Sequence, residues 1–178
     1  MRYHSSLGKF NLVVSTYRFR EENAQDEILE MLEIFGDPEA ESEIIEIKGL
    51  VLARTSLDPL TVIDKLKELV ASEPWQLRYI LRVLPVQVVI PTRLDAIGQA
   101  ARELAPKIEN DTFRVTVEKR HNSLSSMQVI KAIAGQISNK VDLDDPGWVI
   151  LVQILGRLTG LSVLRPNQIF SSVVEKRK

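Results

Sequence analysis

Apolar positions along this chain change period several times, and each change marks an element. Residues 10–16 (FNLVVST) form a short β-rich run. Between Glu21 and Phe35, Ala24, Ile28, Met31, Leu32 and Phe35 recur at the spacing of one helical face. Acidic residues crowd the first turns of that helix, where its dipole favours them, and Gly36-Asp37-Pro38 ends it. Residues 44–47, then Lys48-Gly49, then 50–53 predict a β-hairpin turning at Lys48-Gly49. Asp58-Pro59 predicts a capped helix start, with Leu60, Ile63, Leu66 and Val70 on one face. Pro74 closes that helix, and residues 78–90 (RYILRVLPVQVVI) return as a β-rich segment interrupted by Pro85.

The order is β-α-β-β-α-β, the split βαβ of ferredoxin-like folds, and it places a first domain at residues 1–90. A second domain, 91–178, opens with a helix striped by Leu94, Ile97, Ala101 and Leu104; Thr92 and Asp95 have the spacing of a capping box. Phe113, Val115 and Val117 then alternate with polar residues as a half-buried strand does. Ser125 to Gln128 predicts a capping box for a helix that buries Ile130, Ile133, Ala134 and Ile137. Lys140-Val141-Asp142-Leu143 is short and extended, and Asp144-Asp145-Pro146-Gly147 is a turn by composition. Residues 148–155 (WVILVQIL) suit a central strand buried on both faces, and residues 160–164 one more strand. The whole is an α+β protein of two small domains, with a mobile, solvated tail at Glu175-Lys176-Arg177-Lys178.

Composition narrows the class. At 178 residues, 44% hydrophobic and 26% charged, the chain is ordinary globular protein. No apolar run reaches the length of a membrane span, and the polar start Met1-Arg2-Tyr3-His4-Ser5-Ser6 lacks the hydrophobic core of a signal peptide. With no cysteine there is no disulfide framework and no thiolate zinc site, which fits a cytoplasmic protein. The net charge of −1 hides an asymmetry: 8 Lys+Arg against 15 Asp+Glu up to Trp75, a net of −7, then 15 against 9, a net of +6. A basic half beside an acidic half is expected where one half touches a polyanion.

The strand at Phe113 runs into Lys119-Arg120-His121, which sets cationic donors at a fixed place on the surface. Asn122, Ser123 and Ser125 follow as donors to phosphate oxygens, and a helix start near Ser125 adds backbone N–H groups and the positive end of a dipole. Lys131 lies within two turns of that start. Lys140, Arg157 and Arg165 flank later strands, and Arg78, Arg82 and Arg93 line the junction between the halves. The plainer alternative for each is a solvated or structural charge.

The second half resembles the THUMP domain. The resemblance rests on the strand ending in Lys119-Arg120, the Ser-rich helix start at 123–130, Lys140-Val141-Asp142-Leu143, Pro146, the strand 149–154, and Gly160-Leu161-Ser162-Val163. It departs from the family at His121, where a second arginine is common, and at Gln153, where an acidic residue is common. A ferredoxin-like domain usually precedes THUMP in that family, so the resemblance covers nearly the whole chain. It implies binding of tRNA near its 3′ CCA end. With both halves accounted for, it further implies a non-catalytic adaptor for the tRNA cytidine acetyltransferase that makes 4-acetylcytidine. The alternative is a subunit of another RNA-modifying enzyme, of methyltransferase or thiolation type, whose active site lies on a partner chain.

Catalytic signatures are missing. There is no G-x-G-x-x-G, Walker loop or zinc spacing; His4 and His121 are far apart, and Ser5 beside His4 has no triad context. Asp142, Asp144 and Asp145 have the chemistry for magnesium, but a solvated corner capped by Pro146 is the simpler reading. Trp75 and Trp148 are most simply core or interface residues. The expected inventory is therefore no cofactor, no metal and no catalytic residue.

Overall fold

The computed structural model describes residues 8–178; the polar start and the His4-Ser5 pair lie outside the described residues. Among the described residues two compact units emerge, one of residues 8–86 together with Gln168–Lys178, the other of Gln87–Asn167.

In the first unit, strands β1 (Leu12–Thr16), β2 (Glu41–Ile44), β3 (Leu50–Arg54) and β4 (Ile80–Pro85) alternate with helices α1 (Glu21–Ile34) and α2 (Pro59–Ser72) as the sequence predicts. They form an antiparallel sheet in the order β2-β3-β1-β4, the ferredoxin-like arrangement. Leu12, Val14, Val51 and Val83 of the sheet pack on Ile28, Met31, Leu32, Ile63 and Leu66 of the helices. Asp58 caps α2 by accepting from the Leu60 N–H at 2.9 Å, with Pro59 in the first turn. The hairpin differs from expectation. β2 ends at Ile44, and a five-residue loop holding the buried Ile45 and Ile47 runs to Gly49. Burial of those two isoleucines away from strand pairing accounts for the longer connection.

Carboxylates tie this unit together. Buried Glu27 of α1 accepts the N–H groups of Arg78, Tyr79 and Ile80 at 2.7, 3.1 and 2.8 Å, and so fixes the entry to β4. Asp37 accepts the Thr55 hydroxyl at 2.6 Å and the Ser56 N–H at 2.8 Å. These contacts, the Thr55 hydroxyl first, hold its carboxyl below the usual aspartate range. Glu21 accepts the Gly49 N–H at 2.9 Å, which pins the β2–β3 loop to the start of α1. Gly49 has φ +80°, and a Cβ there would sit 3.1 Å from the Thr16 carbonyl oxygen, so the position requires glycine.

The second unit is a four-stranded sheet in the order β5-β8-β7-β6, with β5 (Val88–Pro91), β6 (Phe113–Arg120), β7 (Trp148–Leu155) and β8 (Leu158–Leu164). β6 and β7 are parallel and the other pairs antiparallel. Helices α3 (Leu94–Leu104) and α4 (Ser126–Ala134) cover one face, burying Ile97, Ala101, Val129 and Ile133 against Ile150, Val152, Ile154 and Leu161. The helices approach closely at Gly98, where a Cβ would lie 3.2 Å from the Ala132 carbonyl.

Two segments fall elsewhere than the sequence suggests. The β-rich run 78–90 is two strands of two different sheets: β4 stays in the first unit, and β5 pairs with β8 in the second. The C-terminal segment belongs to the first unit. β9 (Phe170–Ser171) adds to the free edge of β4, a short helix α5 (Ser172–Glu175) follows, and Lys176 donates to the Leu77 carbonyl at 2.6 Å. Fully buried Phe170 in the first core is the physical reason for this return. The charge asymmetry shrinks accordingly. Gln87–Asn167 carries 10 Lys+Arg against 8 Asp+Glu, a net of +2, because Arg78, Arg82, Lys176, Arg177 and Lys178, with Glu175, lie in the other unit.

Candidate functional site

The parallel pair β6 and β7 sets both strand C-termini at the same end of the second sheet. At that end lie Lys119 and Arg120, the His121–Ser125 loop, and the β7–β8 turn Gly156-Arg157. Both helices also begin there: α4 follows β6, and α3 follows Pro91, which pairs with Leu158 beside the turn. Two helix N-termini and the C-terminal ends of parallel strands make a surface suited to anions.

The details separate residues that brace this end from residues that are free at it. Lys119 and Arg120 are consecutive on a strand and leave on opposite faces. Lys119 turns to the helix side, where its ammonium donates to the Leu124 carbonyl at 2.8 Å and keeps two further N–H donors. Arg120 turns to the side of Glu118 and Gln153, and its Nη1 is buried without an acceptor among the described residues. The triplet is therefore not one row of donors. His121 leaves the strand with φ +56°, the left-handed region that non-glycine residues seldom adopt, and stands exposed.

Asn122 is a brace. Its amide donates to the Gly156 carbonyl at 2.9 Å and accepts the Leu124 N–H at 2.9 Å, so it ties the loop to the β7–β8 turn. The turn itself has Gly156 at φ +63° in the first central position of a two-residue hairpin loop, and it presents exposed Arg157. Ser125 and Gln128 form the expected capping box, with Ser125 Oγ accepting the Gln128 N–H at 3.0 Å. Ser123 is exposed beside them.

Other candidates separate from this end. Arg93 occupies the N-cap position of α3, so the Thr92/Asp95 capping box does not form. Thr92 instead pairs its hydroxyl with that of Thr159 at 2.8 Å. Arg93 lies at the site, exposed, with Asp95 3.4 Å away. Lys131 is in the last turn of α4, away from the helix start.

Lys140 and Arg165 lie at the opposite end of the sheet, since the Lys140 carbonyl accepts from Phe113 at the start of β6 and Arg165 follows β8. Arg165 is engaged there. It lies 4.0 Å over the Trp148 ring, pairs with Asp111 at 3.0 Å and donates to the Gly147 carbonyl at 3.1 Å. The Thr112 N–H, and then Arg165, hold the Asp111 carboxyl below its usual range. Arg78 and Arg82 belong to the first unit: Arg82 lies on β4 between Ser15 and Ser171, and Arg78 is exposed just before that strand.

Asp142 accepts the N–H groups of Asp144 and Asp145 at 3.1 and 3.0 Å, which makes this segment a self-bonded corner. Among the described residues no group of three or more His, Cys, Asp or Glu side chains is arranged to hold a metal ion. Nor is any helix among them long and apolar enough to cross a membrane.

Sequence reasoning passed over an exposed set in the first unit. Tyr17 and Phe19 are 54% and 83% exposed, and Trp75, expected in a core or interface, is 66% exposed. The alternation Tyr17-Arg18-Phe19-Arg20 was the available signal.

Residues 91–164 match the family model of the THUMP domain. THUMP domain-containing protein 1 of Bos taurus is 30% identical over 115 residues, which is 59% of this chain and 32% of that protein. The chain thus spans about a third of the length of the curated relatives it matches. Among solved structures, PH1313 from Pyrococcus horikoshii Ot3 is similar with a TM-score of 0.65 and 18% identity, over 88% of this chain and 55% of that one. TrmN from Thermus thermophilus follows with a TM-score of 0.57 and 18% identity, over 89% and 47%. At these identities the likeness is one of fold.

Proposed function

We propose that this chain binds tRNA through the helix-capped end of its second sheet; the match of residues 91–164 to the model of the THUMP domain, which is an RNA-binding module in tRNA-modifying proteins, supports this reading. The observation that supports this reading is the gathering of Lys119, Arg120, Arg157 and Arg93 with two helix N-termini at one end of that sheet. Phosphates need cations on a rigid frame, and strand ends braced by Asn122 supply one. Lys119 and Arg120, leaving on opposite faces, straddle the strand end and reach phosphates on either side of it. Ser123, Ser125 and the N–H groups of the first turn of α4 add neutral donors. Lys140 and Arg165, at the other end, take no part.

In this reading the protein grips the acceptor 3′ end and presents the tRNA to a modification enzyme. The tRNA cytidine acetyltransferase is the partner that the family resemblance of the sequence implies. A second reading, part of another RNA-modifying enzyme, has one observation in its favour: this chain covers only 55% and 47% of the two solved chains it resembles.

The test is tRNA affinity against salt. Replacing Lys119, Arg120 and Arg157 by alanine lowers affinity and flattens the log–log salt slope by roughly one for each phosphate no longer neutralised. Unchanged affinity and slope would remove this site. Equal binding of intact tRNA and tRNA lacking its CCA end would count against the acceptor-end mode. Pull-down with the acetyltransferase addresses the partner. Nucleoside modification by this chain alone, given group donors, would overturn the adaptor reading.

A further inference from the structure

The first unit carries more acid than base, yet four of its cations without a bound partner collect at one end. Arg54 is bound to Glu41 at 2.8 Å, and Lys65 lies over the Phe35 ring. Arg18, Arg20, Lys48 and Arg78 are exposed and make no side-chain hydrogen bond or ion pair among the described residues. The topology puts all four together. The β1–α1 loop holds Arg18 and Arg20, the β2–β3 loop holds Lys48, and the α2–β4 connection holds Arg78. These three loops share the end of the sheet where Thr16 bonds to Gly49 and its hydroxyl donates to the Tyr79 carbonyl at 2.7 Å.

The same end carries three exposed aromatic side chains. Tyr17 and Phe19 alternate with the arginines, and Trp75 sits in the 3₁₀ turn Pro74–Gln76. Phe19 is held outward in the left-handed region at φ +67°, a conformation that costs free energy and that core packing does not explain, since the ring is exposed. Trp75 forms one wall of a cleft of about 380 Å³, with Asn23, Asp26 and Glu30 of α1 on the other wall and Arg78 beside it. The loops are fixed in place by the Glu21–Gly49 and Glu27–Arg78 bonds, so the rings and cations are presented on a set frame.

We propose that this end of the first unit is a second RNA site, which takes an unpaired strand. Bases stack on Tyr17, Phe19 and Trp75, phosphates lie on Arg18, Arg20, Lys48 and Arg78, and the cleft carboxylates accept from exocyclic amino groups. Aromatic rings interleaved with cations are what unpaired strands require, because every base has a π-face. A duplex keeps its bases stacked internally and offers these rings nothing. The proposal takes the ligand's class from the tRNA reading and adds a separate site to it.

The test uses the full chain, a 12-nucleotide oligocytidylate and an RNA duplex of equal length. Phe19→Asn with Trp75→Ala changes only exposed side chains, and asparagine keeps the left-handed backbone at position 19. Oligocytidylate quenches tryptophan fluorescence in the parent, and the double variant binds it on the order of tenfold more weakly. Its affinity for the duplex is unchanged. Equal oligocytidylate affinity in parent and variant overturns the proposal and leaves this end as a protein-contact surface. The Lys119→Ala/Arg120→Ala/Arg157→Ala chain, run in parallel on tRNA, reports on the first site alone. Its failure to weaken tRNA binding would sink that site and leave the oligocytidylate result standing.

Discussion

Three carboxylates of the first unit and the cations at one end of the second sheet do opposite work. In the first unit the carboxylates of Glu21, Glu27 and Asp37 accept backbone N–H groups from distant segments and hold the fold. At the β6 end of the second unit, Arg157 and Arg93 stand exposed, and Lys119 has donors left over. Net charge by halves does not distinguish these roles. An acidic half looks like a partner surface in the sequence, yet three of its carboxylates are structural bonds. The opposite end of the second sheet makes the same point, since Arg165 is as cationic as Arg157 but is consumed by Trp148, Asp111 and Gly147.

The comparison breaks most readily at Glu27. Replacing it with alanine strands three N–H groups, including that of the 1%-exposed Ile80, and lowers stability by about 3 kcal/mol. For a chain of this size that is a fall of roughly 6–12 °C in Tm by calorimetry. A loss under ~1 kcal/mol would show that the carboxylate is not a structural bond.

Asp37 comes next. Asp37→Asn keeps the shape but not the charge, and lowers stability at neutral pH by about 1–3 kcal/mol. Because the Thr55 and Ser56 bonds depress the folded-state pKa, the wild-type contribution is fully present above the unfolded value. It is lost as pH falls through the lower folded value. The gap between wild type and variant in urea melts therefore closes below about pH 4. A gap that stayed constant into acid would assign the cost to packing.

The smallest effect on stability sharpens the contrast from the other side. Lys119→Ala/Arg120→Ala stays within roughly 1 kcal/mol of wild type in the same melts, because it removes only the hydrogen bond to Leu124. A large loss would make these residues structural and blur the distinction between the units.

Periodicity made most of the fold legible. The ferredoxin-like order, the Asp58 and Ser125 caps, and the strands at 113 and 148 all follow from local pattern, and each was found where pattern puts it. Pattern cannot tell which sheet a strand joins, so residues 78–90 read as one run where the chain divides it between β4 and β5. The Lys119 to Ser125 stretch was visible because its residues are contiguous. Separating Arg157 from Arg165 needed the tertiary fold, since both are arginines at strand ends and only the position of Trp148 and Asp111 divides them. Trp75 lies outside any core, although tryptophan is usually covered, and no local feature of the sequence separates the core reading from the interface one.

The return of β9 to the first sheet bears on how the chain is made. A ribosome releases β1 to β4 long before Phe170, so the nascent first unit waits with the outer edge of β4 bare and a hole where that ring belongs. The second unit, a continuous stretch, is free to fold during this interval. Completion of the first unit is thus a late event in synthesis, and a chain stopped near residue 167 carries an open strand edge prone to pairing with its neighbours.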